Sequence, residues 1–200
     1  MDPRNPLRPT RPIAVDAISS LGAYRAARAL TPIDLHLDGN EGAAPPDEIL
    51  ENLPRIDGDL LRRYPSAAPL EAQVAERLGV TAGRVIVTAG GDDAIERASR
   101  ALLAPGRNLV LPVPTFEMFA RFARMAGAGV REVSWPEGPF PVDDMLAAID
   151  GDTSAIALVS PNNPSGAVIA GNDVRRIAHA APHALLIVDL QLQADEGVEI

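Results

Sequence analysis

The sequence predicts an α/β fold: a mostly parallel central sheet with helices on both faces. Two observations carry this expectation. From Val85 onward, short apolar runs alternate with segments of helical spacing. The runs are near-continuously apolar, as in strands covered on both faces, and loops rich in Gly, Pro and Asn punctuate them.

In chain order, residues 1–12 hold prolines and arginines and read as an arm. Ile13 to Leu30 has mixed three-residue apolar spacing and predicts a short helix. Leu35-His36-Leu37-Asp38 reads as extended and runs into the loop Gly39-Asn40-Glu41-Gly42. One or two helical turns follow over 47–53. Arg62 to Pro65 is extended, because the residue before a proline is pushed out of the α region. Leu70, Val74 and Leu78 recur at i, i+4, i+8 and predict a helix from Pro69 to Leu78, stopped by Gly79. Strands are then expected at Val85–Val87, Leu109–Leu111, Val130–Val133, Ala155–Val159 and Leu185–Val188. Helices are expected near 93–103, 116–125, 142–149 and 172–180.

Composition narrows function. An apolar content of 46% supports a packed core, and with aromatics at 4% that core is mostly Ala, Leu, Val and Ile. A net charge of −9 argues against nucleic acid, since no basic surface exists to neutralise phosphates. The absence of cysteine removes disulfides, thiolate metal sites and cysteine nucleophiles. His36, His179 and His183 lack metal-ligand spacing, so no metal is expected. No run reaches membrane-spanning length, and the first residues lack the apolar core of a signal peptide; a cytoplasmic protein is expected. All 18 basic residues are arginine. The chain therefore offers neither a Schiff-base lysine nor a P-loop lysine.

Four stretches stand where strands end, which is where ligands bind in open α/β sheets. Ala89-Gly90-Gly91-Asp92-Asp93 passes from a strand to a helix. Its glycines suit an anion cradle, or else Asp92 is a helix cap and the glycines make the turn. Pro112-Val113-Pro114-Thr115-Phe116 presents a ring that either stacks on a planar ligand or begins a helical apolar face with Phe119 and Phe122. Ser160-Pro161-Asn162-Asn163-Pro164-Ser165-Gly166 is a stiff loop with two amides, read evenly as a tight connection or a ligand contact. Asp189 ends a buried run, where an acid is costly unless paired. It either holds a protonated ring nitrogen or caps a loop.

Together with Leu37-Asp38-Gly39-Asn40-Glu41 and Arg63-Tyr64-Pro65, these stretches resemble the fold-type-I pyridoxal-phosphate-dependent aminotransferases of class I/II, in order and spacing. Among them the resemblance is to the histidinol-phosphate aminotransferases. It implies a partial large domain over 37–200, incomplete at its C-terminal side, preceded by an arm and helix over 1–36. It implies pyridoxal 5'-phosphate as cofactor. Gly91 and Asp92 would meet its phosphate, Phe116 its ring face, Asn163 its phenolic oxygen and Asp189 its ring nitrogen. Tyr64 would reach the phosphate of a partner's cofactor, implying a homodimer, and Asn40 would approach a small-molecule substrate. The family's Asp-x-Ala-Tyr pattern gives way here to Leu192, and its lysine and carboxylate-binding arginine have no counterpart, so this chain alone is expected to be inactive. Two alternatives stand beside this reading: a non-catalytic fragment binding a phosphorylated ligand or partner chain, and a phospho-amino-acid decarboxylase of the same fold.

Overall fold

The computed structural model describes residues 16–19, 21–22, 45–53 and 57–190. The expectations at 35–38, at Asn40 and at Leu192 lie outside these residues. In order, the helices and strands are α1 (Asp16–Ser19), α2 (Asp47–Asn52), α3 (Gly58–Arg62), α4 (Ala68–Arg77), α5 (Gly91–Leu102), β1 (Asn108–Val113), α6 (Met118–Met125), β2 (Gly129–Ser134), α7 (Val142–Ala148), β3 (Thr153–Ser160), α8 (Gly171–Ala180) and β4 (Leu185–Leu190). They fall into two compact units, Ala23–Val87 and the remainder. Among the described residues, no helix is long and apolar enough to cross a membrane.

The four strands form one parallel sheet in the order β2-β1-β3-β4. The central strands β1 and β3 are buried along almost their whole length, while the edge strands β2 and β4 are mostly exposed or half-buried. Side chains alternate between two cores. Leu109, Leu111, Ala155, Ala157 and Val159 pack against α5 and α6 through Ile95, Phe119 and Phe122. Val110, Ile156 and Leu158 face the other way, onto Met145 of α7 and Ile177 of α8. This is the expected architecture: apolar runs with no polar alternation have a helix layer on each side. Trp135 and Phe140 extend the second core with an edge-to-face contact at 5.2 Å between ring centroids.

Helices α2 and α4 to α8 begin and end within a few residues of their expected places. α3 was not expected, and it takes in Arg62, which reads as extended from the following proline, because Pro65 constrains only the residue directly before it. α6 stops at Gly127, whose φ of +79° lets Ala128 N–H donate to Ala123 O at 3.0 Å. A Cβ added at Gly127 would sit 3.1 Å from Pro105 Cγ, so this turn also needs the missing side chain. The predicted strand at Val85–Val87 is not formed. Extended backbone becomes a strand only with a partner, and Val87 N–H donates to the Glu71 carboxylate (3.0 Å) instead of a ladder. Ile86 there is 67% exposed. In the same unit Tyr64 is fully exposed, and Asp59 binds Arg62 and Arg63.

A polar cluster that the sequence did not announce pins the amino ends of the strands. Thr153 Oγ1 donates to Asn108 Oδ1 (2.9 Å) and accepts from Asp150 N–H (3.0 Å). Asn108 Nδ2 and Arg131 both reach the Asp150 carboxylate. Partial burial opposes ionisation of Asp150, but these donors prevail and lower its pKa to about 2. Because the folded value lies below the unfolded one, the stabilisation is present above the ordinary carboxylate range and disappears as pH falls towards 2. Urea midpoints of wild type and Asp150→Asn are expected to differ at neutral pH and to converge on acidification through that window. In the second core, Leu158→Ala is expected to cost about 2–5 kcal/mol in the same measurement.

Candidate cofactor site

The site follows from the order of the strands. β1 leads through α6 to β2 on one side, and β2 leads through α7 across β1 to β3 on the other. The connections leaving β1 and β3 therefore depart to opposite faces, α6 on one and α8 on the other. The gap between two such neighbours is the topological switch point, where open α/β sheets bind ligands.

The Ser160–Gly166 loop occupies this gap. Asn162 is 2% exposed. Its Nδ2 donates to Pro114 O (2.9 Å) and Ser165 Oγ (2.8 Å), and its Oδ1 accepts from Thr115 Oγ1 (2.6 Å). Its backbone closes the loop on itself, with N–H to Ala167 O (2.7 Å) and C=O from Gly166 N–H (2.6 Å). Asn163, next in the chain, is exposed, and its side chain makes no hydrogen bond among the described residues. One amide is thus spent on structure and the other is available. Thr115 is the residue that sequence reasoning overlooked; a hydroxyl just after a buried Pro-containing strand was the signal.

At the start of α5 the backbone is shaped by Gly90, with φ +84° and ψ 177°, and no side chain caps the helix. Asp92 is not a cap, contrary to that reading of the turn: it is exposed in the first turn. The bracing comes instead from Asp93, which accepts from Ala89 N–H (2.9 Å) and Arg97 Nε (2.8 Å). These two bonds, Arg97's first, hold the Asp93 carboxyl below its usual range. The first N–H groups of α5 are left for an external acceptor, as an anion site requires.

Asp189 pairs in register with Val159, near the carboxyl end of β3. Its strand neighbour at i−2, Ile187, packs into the α5–α6 core, which places Asp189 on that face too. Burial, and then the negative charge of nearby Asp92, push its carboxyl above the usual range. It forms no ion pair among the described residues. Phe116 lies just before α6 rather than within it, half-buried against the same core, while Phe119 and Phe122 supply the helix's apolar face. A cavity of about 220 Å³ opens beside Phe116 and Arg121, but Asp92, Asn163 and Asp189 do not line it.

A doubly covered parallel sheet with these loops at its carboxyl end is the large-domain fold of pyridoxal-phosphate-dependent transferases. Residues 35–191 match the family profile of aminotransferase class I and II. The chain belongs to that family. It is 37% identical over 157 residues to histidinol-phosphate aminotransferase 1 of Nostoc sp. strain PCC 7120, covering 76% of this chain and 44% of the relative. A histidinol-phosphate aminotransferase of Bacillus licheniformis is 36% identical, with the same coverage. Among solved structures, a tetra mutant of Thermus thermophilus aspartate aminotransferase superposes with a TM-score of 0.70 at 25% identity, over 88% of this chain and 50% of that one. N-Succinyldiaminopimelate aminotransferase of Mycobacterium tuberculosis gives 0.64 at 28% identity, over 72% and 41%. The chain thus spans under half the length of these curated relatives.

The raised Asp189 carboxyl has a stability signature. Its folded value exceeds the unfolded one, so ionised Asp189 weakens the fold as pH rises through the folded pKa. Asp189→Asn is therefore expected to raise the melting temperature at pH 7, with the gain vanishing below the ordinary carboxylate range. Equal melting temperatures at both pH values would show that Asp189 is already satisfied.

Proposed function

We propose that this chain is the cofactor-orienting portion of a histidinol-phosphate-type aminotransferase, acting in histidine biosynthesis in the cytoplasm. The observation that carries the reading is Asp189: a half-buried carboxylate with no cation beside it among the described residues, near an uncapped helix start. A phosphorylated pyridine ring supplies both missing partners, a protonated ring nitrogen for the acid and an anion for the helix. When bound, pyridoxal 5'-phosphate supplies an electron sink for amino-group transfer.

The chain's own residues would bind and orient. Gly91 and Asp92 present backbone N–H groups to the phosphate. Phe116 lies against the ring face, and Asn163 donates its amide to the phenolic oxygen. Asp189 keeps the ring nitrogen protonated, at the cost of its own strained ionisation when the site is empty. Tyr64 reaches the phosphate in a partner subunit, which makes the working form a homodimer, and Asn40 approaches the small-molecule substrate. None of the 200 residues is lysine, so this chain offers no side-chain amine to bond to the cofactor or to move the proton. That fact also favours a second reading: the chain alone holds a phosphorylated ligand without turning it over.

Titration with pyridoxal 5'-phosphate is expected to show saturable binding, and borohydride to leave no side-chain adduct. Gly90→Ala, which forces a side chain into a region open to glycine at a cost of about 1–3 kcal/mol, should weaken pyridoxal phosphate and inorganic phosphate alike. Asp189→Asn should weaken only the former. Failure of the wild-type chain to bind pyridoxal phosphate would sink the proposal.

A further inference from the structure

We infer that Asn162 and Thr115 form a positioning clamp that sets where Asn163 and Phe116 stand, and so fixes the ring's seat; this rests on the cofactor reading above. A buried amide with unmade hydrogen bonds is costly, so a side chain only 2% exposed must be fully engaged. Asn162 is: both Nδ2 protons and Oδ1 have partners. Two of those partners, Pro114 O and Thr115 Oγ1, belong to the connection after β1, and the third, Ser165 Oγ, to the loop after β3. The side chain therefore bridges the two connections that the switch point drives apart.

The consequence lies one residue along each strand's exit. Phe116 follows Thr115, and Asn163 follows Asn162. The Thr115–Asn162 hydrogen bond thus ties the residue before the ring-stacking side chain to the residue before the ring-holding amide. Neither of the two side chains nearest to asparagine in size reproduces it. Aspartate could accept from Thr115 but would turn an oxygen towards Pro114 O, and leucine fills the space with no donor or acceptor. The clamp makes no hydrogen bond to the start of α5, where the phosphate would sit, so it governs the ring and not the phosphate.

Calorimetric titration of the full chain with pyridoxal 5'-phosphate and, separately, inorganic phosphate tests this. The ratio of the two affinities reports the ring's contribution. Asn162→Ala and Thr115→Val are expected to lower that ratio about tenfold, roughly the worth of one buried hydrogen bond, with inorganic phosphate binding unchanged. Thr115→Ser, which keeps the hydroxyl, is expected to restore it. Thr115→Val is nearly isosteric and covers the case in which Asn162→Ala does not fold. A wild-type ratio that persists in Thr115→Val overturns the clamp, as does a parallel loss of both affinities. A wild-type chain with no preference for pyridoxal phosphate overturns the cofactor reading, and the clamp with it.

Discussion

The parallel pairing of β1 with β3 is the constraint on which this structure depends. Asn108 to Val110 lie beside Thr153 to Ile156, strands separated in sequence by α6, β2 and α7. Once the two are adjacent, their alternating side chains divide the apolar residues between two cores. The helices that follow them must then take opposite faces, because each core needs its own cover. The crevice above the strands is a by-product of that division. Polar residues mark both ends of the pair, with different tasks. Asn108, Thr153 and Asp150 tie the amino ends into a closed network. At the carboxyl ends the polar groups are split between some that are fully used and some left open.

That split gives the site its character. Asn162, Thr115, Ser165 and Asp93 spend their hydrogen bonds on the loops themselves. Asn163 and Asp189 have no such partners among the described residues, and the first turn of α5 has no side-chain cap. A rigid frame carrying unsatisfied groups is what a preorganised binding site needs, since ordering costs are met at folding rather than at binding. Asp92 adds a second negative charge to the acidic side of this crevice. Around Asp189 the local field therefore favours a cationic centre, while the backbone N–H groups of the same first turn of α5 that carries Asp92 favour an anion.

Most of the architecture was legible because the apolar runs are short, unalternated and separated by helical spacing. Two elements escaped: α3, and Val85–Val87, which reads as a strand by residue type, yet residue type does not supply a neighbour to pair with. The candidate positions stand where the pattern put them along the chain, Phe116 after β1, Asn163 after β3 and Asp189 near the end of β4, but how the polar groups around them share their hydrogen bonds was only partly legible. The sequence shows an Asp-Asp pair after two glycines and cannot show that Asp93, not Asp92, braces the turn through Ala89 and Arg97. It shows a Thr after Pro114 and cannot show an amide arriving from a loop 47 residues away. The raised pKa of Asp189 needs the register of β3 with β4 and the placement of α5, both long-range facts. Asn40 lies outside the described residues.

The conformation of Gly90 has a thermodynamic corollary. With that backbone and no hydroxyl or carboxamide to cap it, α5 begins with its donors facing outward. An anion seated there is, in effect, the missing N-cap, and helix completion and ligand capture become one equilibrium. Free energy gained on capture is then gained by α5 and by everything packed on it, including Ile95 in the first core. A ligand that binds only the folded chain raises stability in step with the logarithm of its concentration. The level of phosphorylated ligand around this chain would thus set what fraction of molecules keep their first core assembled.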